Sequence, residues 1–438
     1  MNTEPFPRSR ASGADMVRPL GPHERLLYLY SQQHPRHFCV TAELTGRIEL
    51  QAFEPALRQL QARHPALSLS IQDADTGPYF ARETRPIPSR IVMDAASVCW
   101  QQLVEEELRT DFPTSPGPLA RLTLLADRQA GGRCMAILTF HHAMGDALSA
   151  VAVLNDLVHC LNGRNLPTLP HRPPVETMLA GLRQEIVGET GVPISEAPSS
   201  AVLRQIAQKP LWRDFATDRP RVDAIQFSTL ESERLINACR RQAATVQGAL
   251  CAALALISAS LRRMETLTVV TPMSIRPQAK VDRSEIGLFL AIGTLTLPVS
   301  AETGFWAMAR QFNSGLARAR SDAGIATWLG RLEQVITPTA DSDMACGLIG
   351  ALTYDAVVSN LGVLDTGGKA DDDVQISALW GPCVLGRLNN ECVIGAATVH
   401  GRLHLTQTAP AHVPAVIDRI QSVVLAACEA PVEISGHA

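Results

Sequence analysis

The apolar positions of this chain keep two rhythms, and the two interleave from one end to the other. Short apolar runs and alternating stretches predict strands over 37–44, 66–71, 78–83, 120–125 and 134–140. The same pattern returns over 222–227, 266–271, 356–362, 392–399 and 402–407, and an apolar segment runs from 285 to about 299. Spacings of three and four predict helices over 23–30, 50–64, 98–111, 230–242, 247–262, 305–319 and 414–429. Local chemistry supports several boundaries. Asp73-Ala74-Asp75-Thr76-Gly77 reads as a turn between two paired strands, and His400-Gly401 as the turn of a hairpin. Ser228 and Glu231 have capping-box spacing, and Thr245 stands where it can cap a helix that is apolar nearly all round, hence buried.

Two stretches break the pattern. The prolines of 166–174 exclude helix and central strand, and 188–210 is again rich in Gly, Pro and Ser, with one helix expected over 175–186 between them. The expected organisation is therefore an N-terminal unit over 1–180, a connection over 181–215 and a C-terminal unit over 216–438. The length suits this, at roughly 150–200 residues per domain. Residues 1–20 read as a loose polar arm. Both halves mix strands with helices, so the expected class is α/β with mixed sheets, without a strict internal repeat.

Composition narrows the function classes. The formal net charge is −4 with no long basic run, which argues against a nucleic-acid partner. The cysteines are scattered without a Cys-x-x-Cys pair, so neither a zinc ribbon nor a disulfide scaffold is expected. No apolar core follows the first arginines as a secretory leader would require, and the longest apolar run, 248–261, is shorter than the ~20 residues of a bilayer span. A reduced, cytoplasmic protein without a transmembrane segment is expected.

The candidate chemistry sits in Phe140-His141-His142-Ala143-Met144-Gly145-Asp146-Ala147. A buried strand, 134–140, runs into it. Leu148, Val151, Leu154, Leu157 and Val158 follow at helical spacing, predicting a helix to about Leu161. Two histidines thus stand where a strand ends, and an aspartate where a helix begins. Histidine exchanges protons near neutral pH. Either ring can equally be a packed structural residue, and Asp146 can be an N-cap. A metal site is disfavoured because no third ligand stands at a recognised spacing, and a serine hydrolase because Gly-x-Ser-x-Gly is absent. Cys134 and Cys160 lie in apolar settings and read as inert. Arg240-Arg241 and Arg262-Arg263 read as solvated helix faces that could instead meet a coenzyme A phosphate or an acidic carrier protein, and His400 and His404 read as hairpin residues.

His141-His142-x-x-x-Asp146 on a strand-to-helix junction resembles the His-His-x-x-x-Asp motif of the condensation-domain superfamily of acyltransferases. That group includes chloramphenicol acetyltransferase-like enzymes, peptide-forming condensation domains and phthiocerol dimycocerosyl transferases. Ser274-Ile275-Arg276, Ile286-Gly287-Leu288-Phe289 and the 399–405 hairpin are similar to further family segments, in the same order, and the resemblance spans the chain from about Leu20. Two departures stand out. Ala147 occupies a position that is often Gly, and Val358-Ser359-Asn360-Leu361-Gly362 replaces the Asp-Phe-Gly-Trp-Gly of peptide-forming members. The second departure favours stand-alone, ester-forming relatives.

The resemblance implies two chloramphenicol acetyltransferase-like subdomains in a V-shaped pseudo-dimer, with the active site in a tunnel between them. It implies acyl transfer from a thioester, on coenzyme A or the phosphopantetheine of an acyl carrier protein, to a small-molecule alcohol or amine. No bound cofactor, metal or covalent acyl-enzyme is implied. His142 would be the general base, with His141 and an Asp146–Arg276 pair supporting it, and Ser359 or Asn360 would be oxyanion or substrate-binding candidates. Amide formation between carrier-bound substrates and a catalytically silent binding protein are the competing expectations.

Overall fold

A computed structural model describes residues 16–93, 97–126, 133–190, 197–262, 264–299, 303–369 and 372–429. The expected arm over 1–15, the connection at 127–132, part of the 188–210 segment and Arg263 lie outside them. The N-terminal half is built on a five-stranded sheet in the order Val374–Val384, His37–Gly46, Cys134–His141, Ala120–Ala126 and Ser89–Val92. All neighbours are antiparallel except the last pair. Alternation divides the side chains between two faces. Phe38, Val40, Ala136, Leu138, Leu122 and Leu124 face the helices Phe53–Arg63 and Ala147–Leu161. Cys39, Met135, Ile137 and Leu125 face the helix Trp100–Arg109.

The C-terminal half holds a six-stranded sheet in the order Leu290–Pro298, Thr266–Ser274, Ala356–Val363, Val393–Val399, Arg402–Pro410 and Pro220–Gln226. The helix Val246–Arg262 is buried against it through Leu250, Ala253 and Leu254, as its all-round apolar pattern predicts. The Ser228–Glu231 capping box forms, and Thr245 Oγ1 accepts the Gly248 N–H at 3.1 Å. His400 and Gly401 both take positive φ, the geometry of a tight hairpin turn.

Several elements differ from the sequence expectations. Met16–Pro19, read as part of an arm, is a strand against Tyr79–Arg82 in a three-stranded sheet. The expected 175–186 helix is broken into Val175–Met178 and Ala180–Thr190. The Gly/Pro/Ser-rich connection contains a helix, Ser200–Ala207, capped by Ser199 and docked by Leu203. Asp322–Val335 and Ser342–Gly350 are further helices, each capped by its own N-cap side chain. The largest departure is Val374–Val384, which arises late in the chain yet pairs along His37–Gly46 in the N-terminal sheet. No single helix among the described residues is long and apolar enough to cross a membrane.

Candidate active site

The strand Cys134–His141 stops at the first histidine, and Asp146 caps the helix Ala147–Leu161. The two histidines leave this junction in different settings. His141 is 1 % exposed, with Nε2 3.0 Å from Ser31 Oγ and Nδ1 accepting the Ala143 N–H at 3.3 Å. It is a packed, hydrogen-bonded residue. His142 donates its backbone N–H to the Arg36 carbonyl at 2.9 Å, and its ring lies 4.8 Å from that of Phe38. Its Nδ1 is buried without a hydrogen-bond partner. The ring lines a cavity of about 480 Å³ whose walls come from both halves: Leu26, Phe38 and Leu148 from one, Ile292, Trp328 and Leu361 from the other.

Asp146 points away from the imidazole. Its Oδ1 accepts the Ser149 N–H and hydroxyl, both at 2.8 Å, and lies 3.0 Å from Arg276 Nη2; its Oδ2 accepts the Phe289 N–H at 3.1 Å. N-capping and ion pairing therefore coexist on one carboxylate. Arg276 follows the strand Thr266–Ser274 and is 3 % exposed. Its Nη1 donates to the Asp282 and Glu285 carbonyls at 3.0 and 2.9 Å, and its guanidinium lies 4.8 Å over the Phe289 ring. Ser149 Oγ completes the joint by accepting the Gly287 N–H at 3.1 Å. The histidine turn is thus clamped onto the 282–289 segment of the opposite half. Ala147 does not take positive φ, so the family's frequent glycine is not needed there.

Ser359 and Asn360, on the strand Ala356–Val363, line the same cavity. Asn360 Oδ1 accepts the Gly362 N–H at 2.9 Å, which leaves its amide group to donate. His404 is held in the sheet, its ring 4.7 Å from that of Trp380. The sequence reading missed Ser149, His23, Arg36 and Trp328. Ser149 had a local signal, three residues after an N-cap aspartate. The others are brought to the cavity only by tertiary packing.

Burial holds the His23, His141 and His142 imidazoles at about 4, 3 and 3, and Arg36 pushes His142 the same way. All three rings are neutral in the folded protein. In the unfolded chain they titrate near ~6.5. The unfolded state therefore binds protons first as the pH falls, so this contribution to stability is complete above about pH 6.5 and drains towards pH 4 and 3. Each ring removes about 1.4 kcal/mol per pH unit across that window. The melting temperature is expected to be level between pH 7 and 8 and to fall steeply below about pH 6. A level profile down to pH 5 would show that the rings are solvated.

Comparison with known proteins agrees with this architecture. The condensation-domain profile matches residues 23–327. A Salinispora arenicola protein described as a probable non-canonical nonribosomal peptide synthetase, CymA, is 26% identical over 225 residues, covering 50% of this chain and 3% of that protein. An Aspergillus fumigatus protein described as a probable alcohol acetyltransferase, crmB, is 27% identical over 205 residues, covering 44% of this chain and 43% of that protein. The chain spans less than half the length of these curated relatives. Among solved structures, polyketide synthase associated protein 5 from Mycobacterium tuberculosis superposes with a TM-score of 0.66 at 17% identity, covering 96% of this chain and 100% of that one. The fold is the mixed α/β, chloramphenicol acetyltransferase-like one that the motif order implied. With the family profile matching well over half of its residues, the chain belongs to the condensation-domain family.

Proposed function

We propose that the chain transfers an acyl group from a thioester, on coenzyme A or a carrier-protein phosphopantetheine, to the hydroxyl of a small-molecule or polyketide-like acceptor. The observation that carries this reading is the setting of His142: a neutral imidazole in the wall of a chamber shared by both halves, its Nδ1 without a hydrogen-bond partner among the described residues. Asp146 is engaged by Arg276, so the pattern is a lone base and not a Ser-His-Asp relay. His142 takes the hydroxyl proton as the acceptor oxygen attacks the thioester carbonyl. The tetrahedral intermediate then expels the thiolate, which takes that proton from the imidazolium, giving ester and free thiol. The Ser359 hydroxyl or the Asn360 amide donates to the oxyanion.

A covalent acyl-enzyme is not part of this scheme. No cysteine lines the chamber among the described residues, and burial pushes the Cys134 and Cys160 thiols up to about 12 and 11, away from the thiolate form. The competing reading, amide formation, is favoured by the likeness to peptide synthetases. The two separate on one experiment. Acyl-coenzyme A donors are incubated with mixed alcohols and amines, thiol release is followed, and the product is treated with hydroxylamine. An ester product cleaves readily and an amide resists. Carrier-protein binding with no thiol release from any donor and acceptor would identify a silent relative and sink the proposal.

A further inference from the structure

Arg36 lies in the chamber wall beside the base, immediately before the strand His37–Gly46. Its carbonyl holds the His142 N–H at 2.9 Å, so its position is tied to the histidine turn. Its guanidinium is close enough to act electrostatically on the His142 ring, and its Nε is buried without a hydrogen-bond partner. The acids around it are already engaged. Glu391 accepts from Arg213 at 3.0 Å and from the Gly386 and Arg387 N–H groups, both at 2.7 Å. Asp218 pairs with Arg213 and Arg387. That cluster holds two cations and two anions and is neutral without Arg36. Asp146, the only carboxylate in the chamber wall among the described residues, is bound to Arg276. Arg320, the other cation of the wall, is exposed at the end of the helix Phe305–Arg320.

No carboxylate among the described residues pairs with this guanidinium, although Glu391 Oε2 and Arg36 Nη1 both face Gly386; Glu391 is engaged by Arg213, and a ligand carboxylate is the group that matches the planar fork. A phosphate dianion would bring two charges to one arginine. We propose that Arg36 is a carboxylate-binding residue, and that the acceptor is a carboxylic acid carrying its reacting hydroxyl or amine a few bonds from that carboxylate, with an apolar tail. The apolar walls, including Leu26, Leu27, Ile292 and Trp328, take the tail. The inference rests on the acyl-transfer reading for the word acceptor, but the carboxylate site itself stands on the charge balance.

The test is a binding comparison on the full chain by calorimetry, without donor. The probes are 3-hydroxyoctanoate, phenyllactate and phenylalanine, each beside its primary amide, with coenzyme A as a separate arm. The wild type is expected to favour at least one acid over its amide by about 10- to 100-fold, the strength of a charge-assisted hydrogen bond. In Arg36→Gln that ratio collapses towards one, and Arg36→Lys keeps part of it. A thermal melt of each variant confirms folding. Equal affinity for acids and amides in the wild type, no measurable binding of any acid, or an acid preference that survives in Arg36→Gln each overturns the proposal. So does a loss confined to coenzyme A, which would place the arginine on the donor side. Thiol release is scored separately, so a failure of the acyl-transfer reading appears there and not in the binding ratio.

Discussion

Replacing His142 with alanine is expected to lower thioester-dependent thiol release by ~10² to 10⁴-fold, the usual contribution of a positioned general base. The fold should survive, because the backbone N–H that ties residue 142 to the Arg36 carbonyl is retained and the ring, packed beside Phe38, has no hydrogen bond at Nδ1 to lose. The pH profile supplies a second check. With the imidazole held at about 3 by burial and by Arg36, the base is deprotonated across the range from pH 5 to 8. The wild-type kcat/KM is therefore expected to show no acid limb from His142 between pH 5 and 8, at pH values where the fold is intact. Undiminished turnover in His142→Ala would remove the base assignment. A limb near pH 6.5 that vanishes in a variant retaining measurable turnover would show an ordinary, solvated histidine.

Arg276→Ala is expected to cost about 3–5 kcal/mol of stability, the usual penalty for stranding one member of a buried ion pair. The structure shows why the upper part of that range applies. Removing the guanidinium leaves Asp146 without its counter-charge and takes donors from the Asp282 and Glu285 carbonyls and from Ser149 Oγ. Asp146→Asn should cost less, because an amide oxygen can still cap Ser149. The double variant should cost less than the sum of the two, since the second change no longer strands a charge. Urea unfolding midpoints check the stability order. Thiol release should fall with Arg276→Ala as well, because the pair fixes the turn that carries the base. An unchanged midpoint together with an unchanged rate would show that the pair holds nothing in place.

What could be read from the sequence was local. The strand Cys134–His141, the cap at Asp146 and the helix Ala147–Leu161 follow from an apolar run, an N-cap residue and a helical period. The Ser228–Glu231 capping box and the His400-Gly401 turn are equally local. The cavity was not legible in this way. His23 reaches it from the first helix, Pro22–Ser31, and Trp328 from Asp322–Val335, a helix whose stripe of Ile325, Leu329, Leu332 and Val335 marks a buried face but does not say which cavity Trp328 enters. Ser200–Ala207 was hidden by the prolines and glycines around it, although Leu203 is fully buried. Arg36 carries no motif, and its significance appears only once the neighbouring acids are seen to be engaged. Val374–Val384 reads as a strand in isolation no more clearly than many exposed stretches. Its identity is conferred by the waiting edge of His37–Gly46, more than three hundred positions earlier.

That borrowed strand also bears on how substrates get in. The polypeptide passes from the first half to the second near residue 200, comes back for 374–384 and returns to the second sheet at 393–399, so the chain crosses between the halves three times. Gaping like a clam would have to tear a ladder of sheet hydrogen bonds, whereas a slight rocking would leave it whole. Cargo should accordingly thread through narrow mouths, and a single nick in the proline-rich connection should leave both pieces travelling together on a sizing column.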